Sequence, residues 1–247
     1  MFFKENNFVG IDLIRPQIWE NINVKSWYKQ NCMLYIHESK TLLFKNLEKS
    51  NTAIKEHFLD LKDKRFISRY AIFHQRFSTN TAPSWSLAQP FRAVAHNGEI
   101  NTYKGNKNWM AAHEPRLNHE NFTDAINDLK PIIDQDASDS AALDATIELL
   151  VRSNRSLPMA KIITIPEAWA HRRDFPKKLK DLYAYANAVM EPWDGPAAIC
   201  GAHNQWAIAG MDRNGLRPLR YTLTKNFLIA GSETGMVDLD EKDIIEK

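Results

Sequence analysis

Strands early, helices in the middle and short strands at the end predict an α+β layered domain rather than an alternating βαβ fold. Three observations carry that expectation. Apolar runs at Tyr70-Ala71-Ile72-Phe73 and from Phe91 to Ala95 read as strands, each leading into a polar cluster. One-faced periodicity predicts helices from about 140 to 153 and from about 175 to 190. The last fifty residues then hold four apolar runs separated by turn chemistry. No internal repeat or low-complexity segment breaks this order.

Taken in order, residues 1–30 carry little regular pattern, and Arg15-Pro16 argues against a helix through that point. CMLYI at 32–36 fits a strand or the start of a helix, and TLLFKNL at 41–47 is strand-like in content. Ile54, Phe58 and Leu61 recur at spacings of four and three, as on a weak one-faced helix over 52–61. Residues 107–136, with Pro115, Pro131 and many Asn and Asp, read as loop. Ser138-Asp139-Ser140 is N-cap chemistry ahead of ALDATIELLV, where Leu143, Ile147, Leu150 and Val151 share a face. In the next helix Asp174 is placed to cap, Pro176 suits the first turn, and Leu179, Leu182, Ala186 and Val189 share a face. PAAICGA, QWAIAGM, LRYTL and NFLIAGS follow, with turns at His203-Asn204, Asn214-Gly215 and Lys225-Asn226. They predict an antiparallel meander.

At 247 residues, 44% hydrophobic and 25% charged, the chain can bury a sizeable core in one domain or two. Its 32 basic and 30 acidic residues give a net charge of +2, which argues against a nucleic-acid partner. No run approaches the roughly 18–20 apolar residues that span a membrane. The first residues also lack the pattern of a secretory signal. Cys32 and Cys200 make no disulfide framework and suit a reducing compartment, so a cytoplasmic location is expected. HExxH and CxxC are absent, which leaves no zinc signature, and neither GxGxxG nor a P-loop occurs.

The chemistry concentrates between His74 and Asn106, in HQRFSTNTAPSWSLAQPFRAVAHNGEINTYKGN. Arg76 follows an apolar run, and its guanidinium suits either a substrate carboxylate or a structural Asp or Glu. Thr79, three residues on, is a turn residue or a second donor to that carboxylate. Asn97-Gly98 reads as a tight turn or as an oxyanion hole, with a carboxamide N–H and a backbone N–H that glycine leaves open to close approach. Asp139 either caps its helix or accepts a substrate ammonium. His74, His96 and His113 are hydrogen-bonding neighbours of this region, and Cys200, inside an apolar strand, reads as a buried, inert thiol.

Five stretches carry a resemblance: HQRFSTNTAPSWSLAQPFRAVAHNGEINTYKGNKNW (74–109), SDSAALD (138–144), MEPWDGPAAI (190–199), DRNGLRPLRY (212–221) and GSETGMVD (231–238). IRPQIW and MLYIHESK add looser likeness. Together they resemble the glutamine amidotransferase domain of the glutamate synthase large subunit, a class II amidotransferase. The resemblance implies an N-terminal-nucleophile hydrolase fold, a four-layer αββα sandwich of two antiparallel sheets. It implies hydrolysis of L-glutamine to glutamate and ammonia, which passes to 2-oxoglutarate for reduction in a synthase domain. Carried onto this sequence, Arg76 and Thr79 would hold the glutamine α-carboxylate and Asp139 its α-ammonium, while Asn97 and Gly98 would form the oxyanion hole. FMN and an iron–sulfur cluster belong to the synthase domains, with no cofactor or metal expected in this chain. The implied partners are the remaining domains of the large subunit and a small electron-donating subunit, with NADPH, NADH or ferredoxin left open as donor.

The family's nucleophile is an N-terminal cysteine whose α-amine serves as base. This chain begins Met1-Phe2-Phe3, and neither Cys32 nor Cys200 has a free α-amine. The expectation is therefore a partial amidotransferase domain over 1–247, motif-rich across 70–238, incomplete at its N-terminus and inactive alone. The alternative is a non-catalytic glutamine-binding or interaction module.

Overall fold

Strands as rich in alanine and glycine as AAICGAH and WAIAGM have little bulk on either face, so layers can close on them from both sides. The computed structural model describes the backbone at 2–4, 32–36 and 42–46, and whole residues at 62–65, 68–74, 87–123 and 126–247. Among the described residues the elements in chain order begin with β1 (Phe2–Lys4), β2 (Cys32–Ile36), β3 (Leu42–Asn46) and β4 (Val94–Gly98). Four helices follow: α1 (Tyr103–His113), α2 (Asp139–Arg152), α3 (Leu157–Thr164) and α4 (Lys177–Val189). The chain then returns to strands with β5 (Ala197–His203), β6 (Trp206–Met211), β7 (Arg220–Thr224), β8 (Leu228–Gly231) and β9 (Ile244–Glu246). The class is α+β, with every strand pair antiparallel.

The central sheet has the order β1-β6-β5-β4, a three-stranded sheet has the order β8-β7-β9, and β2 pairs with β3 alone. Period-two alternation divides the central sheet into two faces. Val94, Ile199 and Ile208 join Leu143, Ile147, Ile163 and Trp193 in the main core, so α2 and α3 cover this face. The other face carries Ala95 and Cys200, opposite each other in register, and the Cys200 thiol reaches Ala230 O of β8 at 3.7 Å. The three-stranded sheet thus meets the central one on the side away from the helices. Among the described residues no helix is long and apolar enough to cross a membrane.

Several expectations meet corrections here. Residues 70–73 form no strand; Tyr70 instead reaches Asn204 O through its hydroxyl at 2.8 Å. The strand expected over Phe91–Ala95 is β4, so Asn97 and Gly98 are its last two residues rather than a turn. Residues 107–113 belong to α1, a helix that its many polar side chains concealed. Ser138, not Asp139, caps α2 by accepting the Ala141 N–H at 3.1 Å. Asp174 does not cap α4, whose first turn has no side-chain cap; its carboxylate takes Arg172. The four late runs are strands as expected, but they form one hairpin in each of two sheets, not a single meander. The helix expected over 52–61 lies outside the described residues.

Candidate functional site

Opposed residues of an antiparallel pair alternate between turning their backbone groups toward the partner and away from it. Ala202 N donates to Ala93 O at 2.9 Å and Glu99 N to Pro196 O at 3.0 Å, so Ala93, Ala95, Asn97 and Glu99 face β5. Val94, His96 and Gly98 turn theirs to the outer edge. There Val94 N donates to Asp144 Oδ1 at 2.9 Å and His96 N to Gln89 Oε1 at 2.7 Å. The Gly98 N–H is third in this outward row.

Gly98 holds its place for a steric reason. Its φ is +152°, and a Cβ there would stand 1.8 Å from Pro196 O. Gly195, at φ +148°, is the mirror case, since its Cβ would stand 1.9 Å from Glu99 O. The two backbones cross with no room for a side chain on either. Asp194 fastens the crossing: its carbonyl accepts Asn101 N at 2.7 Å, and its carboxylate takes Arg213 Nη1 at 3.0 Å.

The Asn97 side chain points to the face opposite the helices. Its Oδ1 accepts from Arg217 Nη2, and its Nδ2 donates to Ser232 Oγ at 2.9 Å. Arg217 arrives there through Asp212, which is buried at the end of β6. The Asp212 carboxylate accepts the backbone N–H of Ala197 (3.0 Å), Asn214 (3.0 Å), Leu216 (3.0 Å) and Arg217 (2.9 Å). Burial pushes this carboxyl up, but the four N–H donors outweigh it and hold it below its ordinary value. DRNGLRP is therefore a loop folded around one carboxylate.

On the helix side, Asp139 lies at the start of α2. Its Oδ2 accepts Ile100 N at 2.8 Å, which ties the acid to the exit of β4. Its Oδ1 accepts Ser140 N at 2.7 Å and Ser140 Oγ at 3.1 Å. Because the Ser140 hydroxyl donates to Asp139, the buried His96 ring must donate to it, from Nε2 at 2.5 Å. His96 Nδ1 is then a bare acceptor, with no partner among the described residues. Burial, with the neighbouring His74 and Arg217, pulls His96 down to about 4 against the pull of Asp139, so the ring is neutral. His74 donates from its own Nε2 to His96 O at 3.2 Å.

The structure thus brings Asn97, Gly98 and Asp139 to one end of β4. Arg76 and Thr79 lie outside the described residues. The histidines are hydrogen-bonding neighbours as expected, with His113 Nε2 at 2.9 Å from Glu191 Oε2. The Cys200 thiol is half-buried and raised above its ordinary value by burial, which keeps it protonated. Sequence reasoning missed Arg217, Asp212 and Ser232 as members of the site. DRNGLRP and GSETG stood out as motifs, but nothing in their spacing joins them to Asn97.

A family model for class II glutamine amidotransferases matches residues 6–247. The chain belongs to that family. Among the relatives of this amidotransferase, the NADPH glutamate synthase large chain of Azospirillum brasilense is 55% identical over 189 residues, 76% of this chain and 12% of the relative. Ferredoxin-dependent glutamate synthase 2 of Synechocystis is 46% identical over 213 residues, 84% of this chain and 14% of that protein. The NADH glutamate synthase of Saccharomyces cerevisiae is 40% identical over 248 residues, 99% of this chain and 11% of the relative. This amidotransferase chain thus spans about an eighth of the length of the relatives it matches.

Proposed function

We propose that this chain is the glutaminase part of a glutamate synthase, holding L-glutamine while its side-chain amide is hydrolysed to glutamate and ammonia. The observation that carries the reading is the bond from Ile100 N to Asp139 Oδ2, which sets a carboxylate beside the Asn97-Gly98 pair. An ionised carboxylate offers about four acceptor positions. Ser140 N and Oγ take two on Oδ1 and Ile100 N takes one on Oδ2, which leaves a position on Oδ2 for the substrate's α-ammonium. Arg76 and Thr79 hold the α-carboxylate in this reading.

When a thiolate attacks the amide carbon, the carbonyl π pair moves onto oxygen. Asn97 Nδ2–H and the outward Gly98 N–H are the donors for that charge; collapse of the adduct breaks the C–N bond and expels ammonia once its nitrogen is protonated, and water then cleaves the remaining thioester to glutamate and the free thiol. Cys200, a protonated thiol against Ala230 O, is not the attacker. This chain therefore contributes substrate holding and charge stabilisation, with an N-terminal-nucleophile fold of four αββα layers as its frame. FMN and the iron–sulfur cluster belong, in this reading, to the remaining length of the synthase. The three relatives' names carry three electron donors, NADPH, ferredoxin and NADH, while sharing this region; the donor is selected elsewhere. A cytoplasmic location fits these reactants.

A polypeptide of these 247 residues is expected to bind glutamine without releasing ammonia, acting alone as a glutamine-binding module. At about one hundred times its Kd, glutamine should stabilise the fold by about 2.7 kcal/mol, read as a rise in Tm. Asp139→Asn should abolish the rise. No rise in the unsubstituted chain refutes glutamine binding, and ammonia release from it refutes the assignment of the thiol to another segment.

A further inference from the structure

A carboxamide can present either its oxygen or its nitrogen to the oxyanion, and only the nitrogen helps. Arg217 decides between them. A guanidinium has N–H donors and no acceptor, so the Asn97 group facing it must be Oδ1. Nδ2 is then turned the other way, where one of its two hydrogens meets Ser232 Oγ at 2.9 Å. The second hydrogen remains to point into the site. The backbone of Arg217 is held beside β5, because Asp212 binds its N–H at 2.9 Å and also binds Ala197 N at 3.0 Å. Ala197 is the register partner of Gly98, so the loop that aims Arg217 is anchored to the strand alongside the oxyanion donors.

We propose that Arg217 is a positioning residue for amide hydrolysis, fixing the Asn97 carboxamide so that its N–H, never its oxygen, faces the oxyanion. The inference rests on the glutaminase reading above. Without Arg217 the amide is free to turn over, and an oxygen presented to the developing negative charge repels it. Ground-state glutamine carries no such charge, so the effect falls on kcat and not on KM.

The test uses the full-length synthase, with glutamine-dependent ammonia release as the readout. Arg217→Met, which keeps an unbranched apolar stem and removes the donors, should lower kcat by roughly a hundredfold with KM within about threefold. Arg217→Lys, which keeps a cationic N–H donor and no acceptor, should recover most of the loss. In an Asn97→Ala background, Arg217→Met should cost nothing further, because the group it orients is already gone. A general structural role gives the opposite pattern: KM rises with the fall in kcat, and the Asn97 and Arg217 losses multiply. Either that pattern or an Arg217→Met enzyme of undiminished kcat overturns the proposal. Should Arg217→Met fail to fold in a thermal melt, Arg217→Lys carries the test alone, since a rise in KM rather than a partial loss of kcat sinks it. Unsubstituted synthase that releases no ammonia from glutamine refutes the glutaminase reading itself, a distinct result.

Discussion

His96 is neutral in the fold and protonates near 6.5 once the chain unfolds. The unfolded state thus binds the extra proton between pH 6.5 and about 4, and the fold loses stability as pH falls through that window. A shift from 6.5 to about 4 corresponds to about 3 kcal/mol at its limit. Asp144 works against it: burial pushes its carboxyl from 3.8 up to about 6 despite the N–H groups of Arg92, Ala93 and Val94, so here the folded state takes the proton first. The contribution of His96 is therefore isolated by difference. Urea unfolding of His96→Gln should show a smaller loss of stability from pH 7 to pH 4.5 than the parent, by about 2 kcal/mol; parallel pH profiles would count against a buried neutral ring. At this scale the sequence singled out candidate groups more readily than what they touch. Asn97, Gly98 and Asp139 stood out as a turn or oxyanion pair and as a cap or ammonium acceptor, and only the family resemblance chose between those readings. Arg217 did not stand out, because its bond to Asn97 joins positions 120 residues apart.

Elements read well wherever period and turn chemistry agreed. β5 to β8 follow the four apolar runs closely, and α2 begins at the serine that its N-cap pattern predicts. α1 did not read, because Asn106 and Met110 are its only buried residues and the helical period has little apolar content to display. Asn106 is held by polar bonds instead, donating from Nδ2 to Pro192 O at 3.1 Å. The crossing of Gly98 and Gly195 was invisible for another reason: a glycine in sequence does not say what passes beside it. Gly98→Ala adds both a strained φ and a steric overlap with Pro196 O, and should cost at least about 3 kcal/mol in chemical denaturation. Ser138→Ala removes one cap bond to Ala141 N and should cost about 1 kcal/mol. A Gly98→Ala chain as stable as the parent would show that the two strands can separate there without penalty.

Across the whole molecule, helices and antiparallel sheets were predictable as an α+β arrangement, but the join between the central and the three-stranded sheet was not. Asp212 is that join: it binds β5 through Ala197 and shapes the segment that carries the chain from the central sheet to β7. Asp212→Ala would strip acceptors from four backbone N–H groups at once and should destabilise the fold by at least about 3 kcal/mol. Its carboxyl is held below the ordinary value of 3.8, so its stabilisation is present above that pH and is lost as pH falls through the folded value. Equilibrium unfolding at pH 7 and pH 3 measures both effects.

The bonds from Asn97 run to Arg217 and Ser232, which follow it by 120 and 135 residues. A ribosome emits β4 and α2 long before it reaches either. The Asn97 carboxamide of a growing chain therefore stays unset until residues 217 and 232 have been made and brought back to β4.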